Sequence, residues 1–153
     1  SSGATGSMTA ILNTSAAVGF GTVVKTVPGF ATLTKVLLNV PGTPLISEAI
    51  AVNLLAGATG SASGGMSIAL EALGEKYLQI AMETGISPEA FHRVASLASG
   101  GLDTLPHNGA VLTLLAVTGL THKESYIDVM MTSLVLPIVA SIPAILLGSL
   151  GIY

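Results

Sequence analysis

The C-terminal stretch Val129–Tyr153 contains no charged side chain. As an α-helix it would be roughly 37 Å long at 1.5 Å per residue, enough to cross a hydrocarbon core of about 30 Å with some tilt. Pro137 and Pro143 lie inside it, and membrane helices tolerate proline where neighbouring groups satisfy the freed backbone. We therefore expect a final transmembrane helix within residues 126–153, which restricts the fold to architectures that sit in lipid.

The scarcity of charge along the whole chain supports the same conclusion. Half of the 153 residues are hydrophobic and 8% are charged, whereas soluble domains carry about 25% charged residues. An integral membrane protein is the interpretation that follows, and a buried subunit of a larger soluble assembly is the alternative. Five basic residues that form no run argue against a nucleic-acid partner. The absence of cysteine excludes thiolate metal sites, disulfides and cysteine catalysis.

Residues 1–40 mix apolar side chains with small polar ones. We expect a helix up to about Val24 and a break near Pro28-Gly29. A second, amphipathic helix to about Asn39 should then lie at the membrane interface, where lysine stems can cover apolar surface.

Residues 44–80 and 87–120 contain two further apolar stretches, each too short to span a membrane alone. Thr43-Pro44 and Ser87-Pro88 have the pattern of helix starts, with a capping hydroxyl followed by proline at the first helical position. A water-exposed loop is expected at Thr121–Asp128. Short or interrupted apolar segments point to the binding site of a transporter.

The first of these stretches runs into Gly57–Gly65, a charge-free run of glycine, alanine, serine and threonine. In water such a run is an ordinary flexible loop. Its position between apolar segments favours a hairpin that enters the membrane and turns back, and irregular backbone there persists only inside protein or beside a wet cavity. The hydroxyls of Thr59, Ser61 and Ser63, free N–H groups and the N-terminus of the next helix would together suit a carboxylate.

Ser99–Gly109 reads SGGLDTLPHNG and places ionisable side chains between two apolar stretches. A charged side chain at the bilayer centre costs about 2.5–3.5 kcal/mol on insertion scales, so such residues are usually functional. Two glycines and a proline predict unwound backbone between two half-helices. Asp103 and His107 could titrate there, while Thr104 and Asn108 could hydrogen-bond to a ligand.

Two structural interpretations of this segment stay open. Asp103 could cap the second half-helix, and His107 could be an interior histidine with satisfied nitrogens. The positions suggest no Ser/His/acid arrangement, and a catalytic metal usually has three protein ligands rather than one histidine and one aspartate. We therefore expect no enzyme activity, no metal and no cofactor.

Three polar residues lie outside Gly57–Gly65 and Ser99–Gly109, and for each of them a structural role is the preferred interpretation. Glu48 is expected to complement the N-terminal end of its helix, with proton transfer as the second interpretation. Asn13 and Asn53 lie in apolar surroundings and are expected to hydrogen-bond between helices.

Three long stretches are distinctive enough to compare with known families. They are AILNTSAAVGFG (Ala10–Gly21), LAGATGSASGGMSIALEALGEKY (Leu55–Tyr77) and SGGLDTLPHNGAVLTLLAVTGLTHKESY (Ser99–Tyr126). They closely resemble the C-terminal part of gluconate permease family proteins. Members of that family are proton-coupled symporters of the bacterial inner membrane for gluconate and related hydroxy acids, including D-β-hydroxybutyrate permease-like members.

The resemblance implies an all-α integral membrane protein of a wider ion transporter superfamily with two inverted repeats. Residues 1–153 would be the C-terminal inverted repeat, with a re-entrant hairpin in 44–80 and a broken transmembrane helix in 87–120. The two tips, Gly60–Gly64 and Asp103–Asn108, would meet near the membrane midplane.

By the resemblance, substrate and coupling ion would lie between these tips, and the leading hypothesis assigns the site residues there. The proton would be carried by Asp103 or His107. Substrate would be bound by residues of both tips: Thr59, Gly60, Ser61, Ser63, Gly64, Thr104 and Asn108.

The leading hypothesis is therefore the C-terminal part of a proton-coupled carboxylate symporter that crosses the bacterial inner membrane several times. Its partners would be a hydroxy-carboxylate, a proton, the lipid bilayer, the missing N-terminal half and a second copy in a homo-oligomer. Two alternatives stay open. One is a small oligomeric membrane channel subunit, and the other is a fragment that is inactive without its N-terminal half.

Overall fold

The computed structural model describes residues 26–152, together with the single positions 3, 4, 8, 11, 12, 15, 19 and 23. Within that part of the chain every regular element is helical and no strand is present, as expected for an all-α protein. The helix predicted up to about Val24 and the role predicted for Asn13 lie outside the continuous described range. The helices are α1 (Pro28–Leu38), α2 (Pro44–Thr59), α3 (Ala62–Thr84), α4 (Pro88–Ser99), α5 (Gly109–Thr118), α6 (His122–Met130) and α7 (Leu136–Ser149).

The starts of α1, α2 and α4 each carry a proline at the first helical positions, where its missing N–H costs no hydrogen bond. Ser87 caps α4 as predicted, because its Oγ accepts a hydrogen bond from the Glu89 N–H at 3.1 Å. Thr43 occupies the predicted cap position of α2, but its buried hydroxyl has no hydrogen-bond partner among the described residues. Proline and the preceding extended residue are therefore enough to start α2.

The second helix lies at the centre of the bundle and packs against α1, α3, α4 and α7. Leu45, Val52 and Ala56 on this helix are at most 1% exposed. Small residues let the backbones approach closely, and an added Cβ at Gly65 of α3 would collide with the backbone of Ala56. This packing fixes the relative positions of the helices that flank both breaks.

The last helical stretch, His122–Ser149, consists of α6, a π-helical turn (Met131–Val135) and α7. It has 28 residues, its most apolar 18-residue part has a mean hydropathy of 2.2, and 6% of that part is buried inside the protein. Among the described helices it is the one long and apolar enough to cross a membrane. The predicted final helix is therefore present, although it begins at His122 and ends at Ser149.

The water-exposed loop predicted at Thr121–Asp128 is wrong, because this segment begins the last helical stretch. Oε2 of Glu124 accepts hydrogen bonds from the Thr121 N–H at 2.8 Å and from the Thr121 hydroxyl at 2.7 Å. An acid in the first turn also stabilises the positive end of the helix. The charged residues that suggested a loop instead start a helix.

The π-helical turn ends two residues before Pro137. Pro137 has no N–H, so a regular helix would lose a hydrogen bond there. In the turn, the Leu136 N–H donates to the Met131 carbonyl five residues earlier. The helix then continues through Pro143 to Ser149, so neither proline ends it.

Candidate binding site at two helix breaks

The first helix break is shorter than the sequence predicts. Within Gly57–Gly65, α2 continues through Thr59 and α3 begins at Ala62. Gly60 adopts a left-handed conformation with φ +61°, which ends α2. The Ser61 hydroxyl accepts a hydrogen bond from an N–H in the first turn of α3 at 3.1 Å. The prediction of irregular backbone is therefore wrong over most of this run, because two adjacent capping residues confine the break.

The second break is longer and contains a short 3₁₀ turn at Leu102–Thr104. It separates Ser99, the last residue of α4, from Gly109, the first residue of α5. Asn108 is the cap of α5, since its Oδ1 accepts a hydrogen bond from an N–H three residues later at 2.9 Å. The interpretation in which Asp103 caps this helix is wrong, because the cap is the residue immediately before the helix.

The two breaks are in direct contact. Nε2 of His107 is 3.0 Å from the Gly57 carbonyl oxygen, and Nδ2 of Asn108 donates to the Gly60 carbonyl at 2.7 Å. The last carbonyls of a helix lack intrahelical partners, so the second break supplies donors that the end of α2 requires.

The hydrogen bond of His107 assigns the roles of its ring nitrogens. A carbonyl oxygen only accepts, so Nε2 carries a hydrogen and donates it to Gly57, while Nδ1 has no part in this bond. The ring is exposed, so the interpretation of His107 as an interior histidine is wrong.

Asn53 on α2 forms a hydrogen bond to the second break. The sequence predicts a hydrogen bond from this residue to another helix, and the partner is the short 3₁₀ turn of that break. Its Oδ1 accepts from the Leu102 N–H at 3.2 Å, and its Nδ2 donates to the Ala49 carbonyl at 3.0 Å. An added Cβ at Gly101 would collide with the Asn53 side chain. The amide therefore fixes where the unwound backbone leaves α4.

The Asp103 carboxyl group lies at the N-terminus of α3, where it interacts with the backbone N–H of Ala62. The first N–H groups of a helix are unsatisfied and positively polarised, so this place favours a negative charge. Oδ1 of Asp103 has no hydrogen-bond partner among the described residues. This oxygen is buried, so one acceptor of the carboxyl group is left without a donor from the described residues.

The predicted polar residues of the first tip differ in what they can offer a ligand. The hydroxyl oxygens of Ser61 and Ser63 are 3.5 Å apart on the exposed side of the break. Thr59 instead donates from Oγ1 to the Leu55 carbonyl at 2.9 Å, within its own helix. The Gly64 N–H is also used, because it donates to Ser61. Ser61 and Ser63 are therefore the hydroxyl donors best placed for a ligand.

Two residues of α6 that the sequence pattern did not indicate hold the outer side of the second break. The Tyr126 hydroxyl donates to the Thr104 carbonyl at 3.2 Å, and Nε2 of His122 is 3.0 Å from the Pro106 carbonyl oxygen. The Thr104 hydroxyl itself is 3.5 Å from the Gly101 carbonyl oxygen. No sequence signal identified this contact, since α6 was predicted to be a loop.

The chemistry of the site is hydrogen bonding and proton binding by an amide, an imidazole, a carboxyl group, hydroxyls and helix ends. Among the described residues, no three His, Asp or Glu side chains form a group that could hold a metal ion. The helical architecture and the membrane-length apolar stretch are consistent with an all-α membrane protein.

One known protein is similar in sequence to most of this chain. The chain is similar to a Bacillus subtilis (strain 168) protein named "Uncharacterized transporter YxjC", with 52% identity over 130 residues. Those residues are 85% of this chain and 28% of that protein, so the chain spans little more than a quarter of the relative's length. No family model matches the chain, and no solved structure matches it. The similarity is therefore to one portion of a protein that is named a transporter.

Proposed function

We propose that this chain is the C-terminal part of a secondary active transporter. It carries gluconate or a related hydroxy-carboxylate, together with a proton, across the bacterial inner membrane. The observation that supports this most is the contact between the two breaks, through His107 to Gly57 and Asn108 to Gly60. Interrupted helices that meet in this way leave polar backbone beside one another, as at transporter binding sites.

The substrate carboxylate binds at the N-terminus of α3. Ser61 and Ser63 donate from their hydroxyls, and the Ala62 N–H adds a donor at the positive end of the helix. Thr104 lies on the second break, where it binds a substrate hydroxyl or completes the donor set, and Asn108 positions the two breaks through its bonds to Gly60 and Val111. Gly60 and Gly64 keep the tip free of side chains.

Asp103 couples the proton to the anion by competition for the same donor. Its carboxylate interacts with the Ala62 N–H that the substrate carboxylate also uses. The substrate carboxylate and the Asp103 carboxylate would both be negatively charged at the N-terminus of α3. Protonation of Asp103 removes one of these two charges, so substrate and proton bind together. Nδ1 of His107 is the neighbouring group able to accept a proton without losing the contact to Gly57.

The transport cycle is alternating access around this site, without a covalent intermediate. The two breaks move relative to the remaining part of the longer protein, which supplies the other walls of the site. A chain that spans 28% of its relative therefore needs that remaining part for transport.

The test uses the whole transporter in proteoliposomes with an imposed pH gradient. Asp103→Asn and His107→Ala are each expected to lower gluconate or 3-hydroxybutyrate accumulation by about tenfold, within the usual range for coupled binding. Asp128→Asn, on an exposed position of α6, is the matched control and should leave accumulation unchanged. Undiminished accumulation in both variants would remove the coupling role from these residues.

Two further outcomes separate the proposal from the alternatives. Steady conductance from this chain alone, without substrate-dependent proton movement, would identify a channel subunit instead of a transporter. Uptake that appears when the remaining part of the protein is co-expressed would support the proposal, because this chain would then be one portion of a split transporter.

A further inference from the structure

A buried carboxyl group lies outside the two helix breaks. Glu48 is in the second turn of α2 and is 1% exposed. The predicted interaction with the helix N-terminus is wrong, because the dipole acts within the first turn. Glu48 precedes Gly57 by about 13 Å along the helix axis at 1.5 Å per residue. It is therefore a separate group from Asp103, which lies beside the other end of α2.

Glu48 borders a cavity of about 220 Å³ between α3 and α4. Most of the wall is apolar and includes Met66, Leu70 and Phe91. His92 also borders the cavity and is exposed on α4, so the wall that contains the buried acid also contains a residue at the protein surface. A cavity needs about 10–15 Å³ of accessible volume to hold one water molecule, so this cavity is large enough for water.

The groups around Glu48 provide no counter-ion in the described part of the chain. Tyr77 of α3 and His92 of α4 border the same cavity, and the Tyr77 hydroxyl is hydrogen-bonded to Ser47 Oγ at 2.9 Å. α7 carries no titratable side chain, and Lys35 of α1 is exposed. Oε2 of Glu48 has no hydrogen-bond partner among the described residues.

We propose that Glu48 is a second proton-binding site of the transporter, which exchanges its proton with solvent through the cavity between α3 and α4. A carboxylate buried without a cation carries a large desolvation cost, so the neutral acid is favoured in this conformation. Release of the proton requires a conformation in which water enters the cavity and solvates the carboxylate. The role in transport rests on the proposed function, whereas the proton site itself does not.

Glu48→Gln is the first test, because glutamine has the shape of the neutral acid and cannot release a proton. In proteoliposomes with the whole transporter, we expect substrate counterflow to be retained, since it needs no net proton movement. Accumulation driven by a pH gradient should fall by about tenfold, within the usual range for coupled sites. Glu75→Gln, at an exposed position of α3, is the matched control and should keep both activities.

Two results of this experiment would overturn the proposal. Unchanged accumulation in Glu48→Gln would show that the group carries no proton in the cycle. An equal loss of counterflow and accumulation would show that Glu48 acts only in folding or packing.

Labelling of the unmodified protein is the second test and needs no variant to fold. Dicyclohexylcarbodiimide reacts with protonated carboxyl groups in apolar surroundings, and mass spectrometry locates the adduct. We expect labelling at Glu48 that decreases as the pH rises, and no labelling at exposed Glu75. Absence of the adduct from Glu48 at every pH would overturn the proposal. If neither gluconate nor 3-hydroxybutyrate is transported, the proposed function fails while labelling still decides the proton site.

Discussion

Asn108 donates a hydrogen bond from Nδ2 to the backbone carbonyl of Gly60 at 2.7 Å, across 48 residues of sequence. Its Oδ1 accepts from the Val111 N–H at 2.9 Å and starts α5. An amide side chain has both a donor and an acceptor, so one residue can hold the first tip and cap the helix of the second. The position of α5 is therefore tied to the end of α2.

Asn108→Asp separates these two roles, because it keeps an oxygen for the cap and removes the donor to Gly60. We expect the free energy of unfolding to fall by about 1–3 kcal/mol, the cost of leaving a buried polar group unpaired. Thermal unfolding in detergent measures the change, and substrate uptake should fall with it. Asn39→Asp, at the exposed end of α1, is the control. A variant at position 108 as stable as the parent would show that the bond between the tips contributes nothing.

Gly60→Ala and Gly85→Ala form a matched pair, because both glycines have left-handed backbone, with φ +61° and +73°. Either side chain strains the backbone by about 1–2 kcal/mol. At Gly60 an added Cβ would also lie 3.0 Å from His107 Cδ2 and 3.4 Å from Asn108 Cα, whereas at Gly85 nothing lies within 4 Å. We expect the larger loss of thermal stability, and the loss of transport, at Gly60. Equal effects at the two positions would contradict a functional contact between the tips.

Gly65→Ala tests the close approach of α3 to α2. The new methyl group would collide with the backbone of Ala56, and such overpacking costs about 1–3 kcal/mol. Gly74→Ala lies in the same helix, where the nearest atom would be Leu70 Cβ at an ordinary 3.9 Å. There alanine should raise stability by about 0.5–1 kcal/mol, since glycine is the poorer helix former. Unfolding of both variants by denaturant should therefore show shifts of opposite sign.

Tyr126→Phe removes the hydroxyl that donates to the Thr104 carbonyl at 3.2 Å. Loss of a hydrogen bond worth about 0.5–1.5 kcal/mol should loosen the second break without unfolding α6. Hydrogen exchange followed by mass spectrometry should show faster exchange in residues 102–107. Ser125→Ala, on the same helix, should leave exchange of this segment unchanged. Unaltered exchange in Tyr126→Phe would mean that α6 does not restrain the break.

The sequence predicted a helix boundary correctly where the residues that start the helix lie within one turn of it. Ser87-Pro88 marked the start of α4, and Pro44 marked the start of α2. Gly57–Gly65 misled the prediction because glycine permits irregular backbone without requiring it, and only Gly60 in that run has a positive φ. The charged segment at Thr121–Asp128 misled it because the same charges also stabilise the first turn of a helix.

The sequence by itself determined that the chain is helical, that it ends in an apolar helix of membrane-spanning length, and which polar residues interrupt its helices. These properties depend on composition and on neighbours within a few residues. Only the tertiary structure decided that His107 meets Gly57, 50 residues away, and that Glu48 is buried beside a cavity. Such contacts depend on how whole helices pack, because a donor finds its distant acceptor only after the backbones between them have taken their places.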